Sequence, residues 1–394
     1  MRNIITIFFL LPLAFVFACQ SPEKLENTAI ENVQEELVNI DSIQIDILGQ
    51  VGLLDVSSDA SLFFLYDYAR SSYIIWDQDA AEITYSFEIN TDKEHAAYPL
   101  RTPSFHNESE LLFGGTRGLV FYDYNGNVQR YFAHEKPLFP ALLYPLPSNY
   151  IYPINFQNKE KFLFPPVKHM PHSPAEEIFY DEWRSLSVLD PESGKLEHIL
   201  PLPKDSRFFN GRAYNYSHLN STYTVINDTL WLNLGGEDIL RAYSIINDLE
   251  PIASISLKML GYELPESLSP EDLDLHSVIS YKKGMQGVKS IFAYGDDLAL
   301  VYFPGYSKSQ RESMNLVKDT DGMAAHQEYA TKLFESIPSR LQIISKSGEI
   351  IRDVAIPVTH KAFELIIRNE EIWVQKKESV EFEEDFIQLY RLDF

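Results

Sequence analysis

The feature that most restricts what this chain can fold into is a strand–turn–strand unit that recurs along nearly all of its 394 residues. Short aromatic and β-branched runs alternate with Asn/Asp/Gly turn signals, and helical periodicity is almost absent. Such self-similarity marks a repeat architecture in which each copy is one structural unit. The clearest copies are Thr222–Ile226, Asn227-Asp228, Thr229–Asn233 and Phe363–Arg368, Asn369-Glu370, Glu371–Gln375. Looser copies pair Val51–Val56 with Ser61–Tyr66, Arg101–Phe105 with Glu110–Gly114, Ala141–Leu146 with Tyr150–Phe156, and Val288–Tyr294 with Leu298–Phe303, which makes six.

Each pair is followed by a third strand, a tight turn and a fourth strand. The turns fall at Asp77–Asp79, Asn125-Gly126, Glu192-Ser193-Gly194, Asn247-Asp248 and Ser347-Gly348, where Gly and Asn accept positive φ at little cost. The fourth strands are Glu82–Glu88, Val128–Phe132, Lys195–Leu200, Pro251–Leu257 and Glu349–Ile356, only five. The chain ends in a third strand, Phe386–Phe394, while Ser42–Leu48 alternates as an orphan strand far upstream. Pairing that N-terminal strand (42–48) with the C-terminal blade closes a ring. The expectation is an all-β chain, a six-bladed β-propeller of four-stranded antiparallel blades forming a single domain over residues 41–394. A large sandwich, or a seven-bladed ring with one blade hidden inside 258–345, is the competing arrangement.

Ahead of the repeat, Met1, Arg2 and Asn3 precede the apolar run Ile4–Phe17. That run has the length of a signal-peptide core and is short for a membrane-spanning helix of about 20 residues. It ends in Val16-Phe17-Ala18-Cys19, with the only cysteine of the chain directly after a small residue. This resembles the lipobox of bacterial lipoproteins, with Phe17 a departure from the small residue usual at its position. The resemblance implies a signal peptide over 1–18, lipidation of Cys19 and attachment to a membrane through it, a tether more than one acyl chain makes stable. Residues 19–40 then form a flexible spacer rich in Asn and Glu.

Taken together, the lipobox, the acidic spacer and the six-bladed pattern resemble the uncharacterised propeller lipoproteins common in Bacteroidetes, a family of unknown function loosely similar to TolB-type propellers. The resemblance implies the fold and a cell-envelope location, on the periplasmic or surface side of the outer membrane. It carries over no functional residues.

Charge and composition remove several function classes. A formal net charge of -24 repels a phosphate backbone, which excludes nucleic acid as a partner. One cysteine makes neither an internal disulfide nor a Cys-rich metal site. The chain has no Gly-x-Ser-x-Gly elbow, Walker loop, Rossmann fingerprint or His-Glu-x-x-His; Ser280-Tyr-Lys-Lys283 matches Ser-x-x-Lys by spacing alone. No catalytic residue, metal or cofactor is assigned. His169-Met-Pro-His172 with Glu176, Glu177, Asp181 and Glu182 offers metal-ligand types, but Pro171 and Pro174 deny the pair a regular helix, and a solvated loop is the simpler reading. Asp319-Thr-Asp321-Gly322 reads better as a helix start, with Asp321 as N-cap, than as a calcium loop.

Propeller geometry converts loop length into a functional clue. Turns between strands 1–2 and 3–4 lie on one face, and these are short. Loops between strands 2–3 and between blades lie on the other, and they hold Ile89–Leu100, Gln157–Glu182, Pro201–Ser221, Lys258–Gly287 and Pro304–Ser339. Loops on a rigid scaffold are where binding sites are built. The last of these segments contains one helix, Met323–Phe334, a lid or a packing element. Most histidines share the bias: His95, His134, His169, His172, His218, His276, His326 and His360 fall on or beside this face, while His106 and His198 do not. The stretch Arg207–Tyr216 sets Arg207 and Arg212 among aromatics that include Tyr214 and Tyr216. With Arg101, His218 and His360 at strand starts near the channel mouth, it is the candidate clamp for a carboxylate and a flat or sugar ligand. The alternative is that these rings pack between blades while the arginines pair locally. The sequence favours a binding module for a protein or glycan over its alternative, an extracytoplasmic hydrolase or lyase acting on glycans or peptides at the channel mouth.

Overall fold

The computed structural model describes residues 36–90, 92, 95, 102–135, 150–165, 172–273, 286–378 and 384–394. The leader, Cys19 and most of the spacer, Arg101, the expected strand Ala141–Leu146, His169, His276 and Ser280–Lys283 lie outside these residues. Residues 35–394 form one compact unit. Among the described residues no helix is long and apolar enough to cross a membrane.

Six sheets of four antiparallel strands make six blades, five of them with their strands in sequential order. Blade 1 spans 51–88, blade 2 104–133, blade 3 152–201, blade 4 221–256 and blade 5 287–355. Blade 6 takes three strands from 366–393 and its outer strand, Val38–Ile45, from the other end of the chain. The clasp runs from Val38 opposite Asp393 to Ile45 opposite Ile387. The propeller thus starts a few residues before the expected boundary at 41, with Leu37 buried and its amide bonded to Ala355 O at 3.0 Å.

Why these sequences make blades is visible in one strand. Successive side chains of a strand point to opposite faces, and both faces of a blade are covered by neighbouring blades. In Leu62–Asp67, Phe63 packs edge-on against Trp373 of blade 6 at 4.8 Å, while its neighbour Phe64 meets Phe113 of blade 2 at 6.1 Å. Both rings are fully buried, each contributing about 1.5–3 kcal/mol. Second strands therefore read as continuous apolar runs, as in Leu298–Phe303, whereas outer strands such as Glu82–Glu88 are mostly exposed.

Two expectations shift. In blade 3 the inner pair is Tyr152–Phe156 with Lys159–Phe164, joined at Gln157-Asn158, both with positive φ (56° and 59°). Gln157 is thus a tight turn on the smooth face, and the long loop of this blade starts only after Phe164. The helix is longer than Met323–Phe334: it runs Lys308–Ser336, entered through a capping box in which Ser307 Oγ accepts from the Gln310 amide and Gln310 returns a bond to the Ser307 amide. Gly322 breaks it with φ 87° and ψ -178°. Because His326 Nδ1 lies 3.0 Å from Met314 O, twelve residues back, the two arms fold against each other as a hairpin.

Candidate functional site

The short turns do lie on one face. Asn227, Asn369 and Glu370 occupy their turns at φ 53°, 49° and 66°, with no insertion between the strands they join. On the other face three long segments brace one another. Arg207 donates to Gly236 O at 3.1 Å and Pro265 O at 2.9 Å, and Arg212 reaches Ser267 Oγ at 3.3 Å. Ala213 and Leu268 exchange backbone bonds of 2.9 and 2.8 Å. From the helical hairpin, Arg311 donates to Glu263 at 2.6 Å. The segments after blades 3 and 4 and inside blade 5 therefore form a continuous cap.

The Arg207–Tyr216 stretch is the inner layer of this cap. Phe208 and Tyr214 are buried with Phe179, Tyr180, Trp183 and Leu219. The Tyr214 hydroxyl accepts from Asn210 at 2.7 Å and donates to Arg207 O at 3.2 Å, and its ring lies 5.3 Å from the Arg207 guanidinium. Tyr216 is half-buried with its hydroxyl 3.4 Å from His172 O. His218 is buried against Gly236, where an added Cβ would sit 2.9 Å from His218 Cβ. Among the described residues of the expected clamp, Arg212 alone is exposed; Arg207 and Tyr214 have their polar groups turned into the cap. His172 faces Glu176 at 3.4 Å and Glu182 at 3.9 Å, and among the described residues no three His, Cys, Asp or Glu converge in a way that could hold a metal.

His360 stands apart from this group, on the connector into blade 6. It is buried, with Nε2 at 3.0 Å from Asn39 Oδ1 and Nδ1 at 2.9 Å from Thr359 Oγ1. An amide oxygen only accepts, so Nε2 carries the proton and Nδ1 accepts from the hydroxyl. Burial lowers its pKa to about 4, leaving a neutral imidazole that ties the connector to the clasp strand.

Beside His360 lies a groove of about 300 Å³ between the end of the hairpin and this connector. Phe334, Ile337, Ile356 and Phe363 give it apolar walls; Glu335, Lys361, Glu364 and Lys377 give it charge. Lys361 is taken by Glu378 at 2.6 Å, with Glu364 Oε2 3.9 Å away. Glu364 Oε2 is buried with no hydrogen-bond partner among the described residues, and burial raises this carboxyl above its ordinary value against the pull of Lys361. Burial lowers the Lys377 ammonium, opposed by Glu335. Nearby Lys289 is buried with its ammonium 5.6 Å from the Phe363 ring, and burial lowers it to about 8.

The channel holds a second polar centre that sequence reading missed. Asp55, fully buried, accepts from Arg368 at 2.6 Å, from the Phe105 amide at 3.0 Å and from the Val56 amide at 2.9 Å. Tyr150 donates to Leu54 O at 3.2 Å, and its ring lies 4.9 Å from the Arg368 guanidinium. Tyr223 in turn donates to Tyr150 O. This network joins blades 1, 2, 4 and 6 with the segment entering blade 3. Burial pushes the Asp55 carboxyl up while Arg368 pulls against it. Burial also opposes the charge on Arg368, but Asp55, Tyr150 and Tyr152 outweigh it and hold the guanidinium above its ordinary value.

No protein-family profile and no curated protein matches the chain. Among solved structures, a member of the DUF4221 family from Bacteroides vulgatus is similar over 91% of this chain and 98% of that one, at a TM-score of 0.62 and 12% identity. The N-terminal domain of Nup159 (TM-score 0.37, 14% identity, 91% of this chain and 78% of that one) and a streptogramin B lyase (0.39, 13%, 90% and 88%) are more distant. At such identities the likeness to the Bacteroides protein establishes a shared fold: this chain is a six-bladed β-propeller.

Proposed function

We propose that this protein is a lipid-anchored, extracytoplasmic propeller that works as a binding module at the bacterial cell envelope, taking a protein or glycan on the face that carries the long segments. The observation that supports this most is the asymmetry of the ring. One face consists of tight turns, while the other carries a braced cap and a groove walled by apolar and charged side chains. Elaboration confined to one face of a rigid scaffold fits recognition. The Cys19 context supports the anchor, and the similar fold from Bacteroides agrees with the family resemblance.

Two experiments test the two halves. Cys19→Ser is expected to abolish lipid labelling in cells; unchanged labelling refutes the anchor. Cys19 is the only native cysteine, so Ser309→Cys on the cap side and Asn125→Cys on the smooth side can each carry a photo-crosslinker. A specific adduct from position 309 and none from 125 is expected. Equal adducts from both, or one from 125 alone, overturns the choice of face.

A further inference from the structure

Charge is unevenly divided between the two faces of the ring. Asp59, Glu108, Glu160, Asp228, Asp296 and Glu370 stand at or beside the first turn of blades 1 to 6, and all six are exposed. The second turns add Asp79, Glu192 and Asp248. Among the described residues the bases of these turns are Lys159, Lys195 and Lys346, and Lys159 pairs with Glu192 at 3.2 Å. Asn closes such turns as Asp does, so turn geometry does not account for the charge. The cap is different. Its acids and bases are mixed and partly paired: Arg311 with Glu263 at 2.6 Å, Lys332 with Glu328 at 2.6 Å and Lys308 with Glu312 at 4.0 Å. Arg212, Lys258 and Lys318 add exposed positive charge. Large apolar side chains also meet solvent there, Phe209, Leu264, Leu268, Leu316 and Met323, from 39% exposed at Leu268 to 63% at Leu316. The first three surround the Arg207–Pro265 and Ala213–Leu268 bonds, and the other two lie on the two arms of the hairpin near its break at Gly322.

An anionic bilayer repels an acidic surface, but salt limits the reach of that repulsion to about 8 Å. Only the face next to the lipid therefore counts, and the total of -24 does not decide the outcome. Exposed Phe, Leu and Met with Lys and Arg among them suit the boundary between headgroups and acyl chains. We propose that the propeller lies cap-down on an anionic bilayer, with Phe209, Leu264, Leu268, Leu316 and Met323 against the headgroups and the acidic smooth face turned away. This rests on the reading above, in which a lipid anchor brings the ring to a membrane. A partner taken by the cap is then one held in or on that same membrane.

The test couples the mature chain, from Cys19 onward, through its one thiol to maleimide-bearing lipid in phosphatidylcholine vesicles with about 30% phosphatidylglycerol. A water-soluble acetylating reagent then reads each lysine by peptide mass spectrometry. Lys308, Lys318 and Lys332 report the cap; Lys159, Lys195 and Lys346 report the smooth face. The cap lysines are expected to react at least about threefold more slowly on vesicles than in solution, with the smooth-face lysines unchanged. Salt at about 0.5 M, or vesicles of phosphatidylcholine alone, should narrow the gap between the two sets. Leu316→Ser with Met323→Ser, both exposed positions, should restore the reactivity of Lys318 and Lys332. Equal protection of both faces, protection of the smooth face, no protection at all, or a gap indifferent to salt and lipid charge overturns the proposal. Because the coupling is chemical, the outcome does not depend on acylation in cells. Lipid labelling lost in Cys19→Ser alongside unprotected cap lysines would sink this inference alone, leaving the anchor intact.

Discussion

Asp55 on the inner strand of the first blade and Arg368 on the inner strand of the last meet at 2.6 Å, 313 positions apart in the chain. The clasp closes the ring at its rim; this pair closes it near the axis. Replacing Arg368 with Met leaves the Asp55 carboxylate buried without its counter-charge and is expected to cost about 3–5 kcal/mol. The double variant Asp55→Asn/Arg368→Met should recover part of that loss, because the uncompensated charge is gone. Urea unfolding of Arg368→Met, Asp55→Asn and the double variant measures both effects; additive losses would show that the two residues do not act as a pair.

His360 makes stability depend on pH on the acid side. Its folded pKa is about 4 against 6.5 for the free side chain, so between these values the unfolded chain binds the extra proton. Its contribution is complete above about pH 6.5 and is lost as pH falls toward 4, by up to about 3 kcal/mol. Unfolding midpoints at pH 7 and pH 5 should therefore differ less in His360→Gln than in the parent chain. An identical pH dependence would contradict a buried neutral imidazole.

Gly287 holds φ at 129°, and a Cβ there would lie 2.3 Å from Gly235 O of the neighbouring blade. Gly287→Ala combines backbone strain with an overlap against main chain, which cannot swing aside, and should destabilise by at least about 2 kcal/mol. Thermal melts check this, with Gly211→Ala as the comparison: it shares a positive φ of 74° but has open space around it.

Arg207 and Arg212 should part company when truncated. Arg207→Ala removes bonds to Gly236 O in blade 4 and to Pro265 O, the second of which holds the 257–273 segment to the cap, and is expected to cost about 1–3 kcal/mol, with faster proteolysis near Pro265. Arg212→Ala, on an exposed side chain, should change stability by less than about 0.5 kcal/mol. Equal effects would mean that Arg207 is not a brace.

Much of the ring was legible because propeller strands carry their fate locally. Asn227-Asp228 and Asn369-Glu370 announce turns by their chemistry, and the missing outer strand at the C-terminus pointed to its substitute near residue 42. Blade 3 was read one hairpin early because Pro147-Ser148-Asn149 looks like a turn, while Gln157-Asn158 contains no Gly. The first arm of the helix was missed for a different cause. Ser309–Asp321 is polar on most sides, so no apolar stripe marks it, although Ser307 and Gln310 spelled a capping box. The site was far less legible. Pattern and loop length indicated the elaborated face, but whether an Arg meets solvent or a carbonyl depends on residues such as Pro265, 58 positions away. Asp55 and Arg368 belong to opposite ends of the chain, and nothing local to either names the other.

The clasp has a consequence in time as well as in space. Val38–Ile45 is synthesised long before its partner Ile387–Asp393. Throughout the interval between them the earliest strand of the propeller has no blade partner to bond with. Blade 6 therefore forms only after Asp393 has been made, and a product interrupted before it exposes an unpaired edge at the start of the ring that chaperones and proteases can recognise.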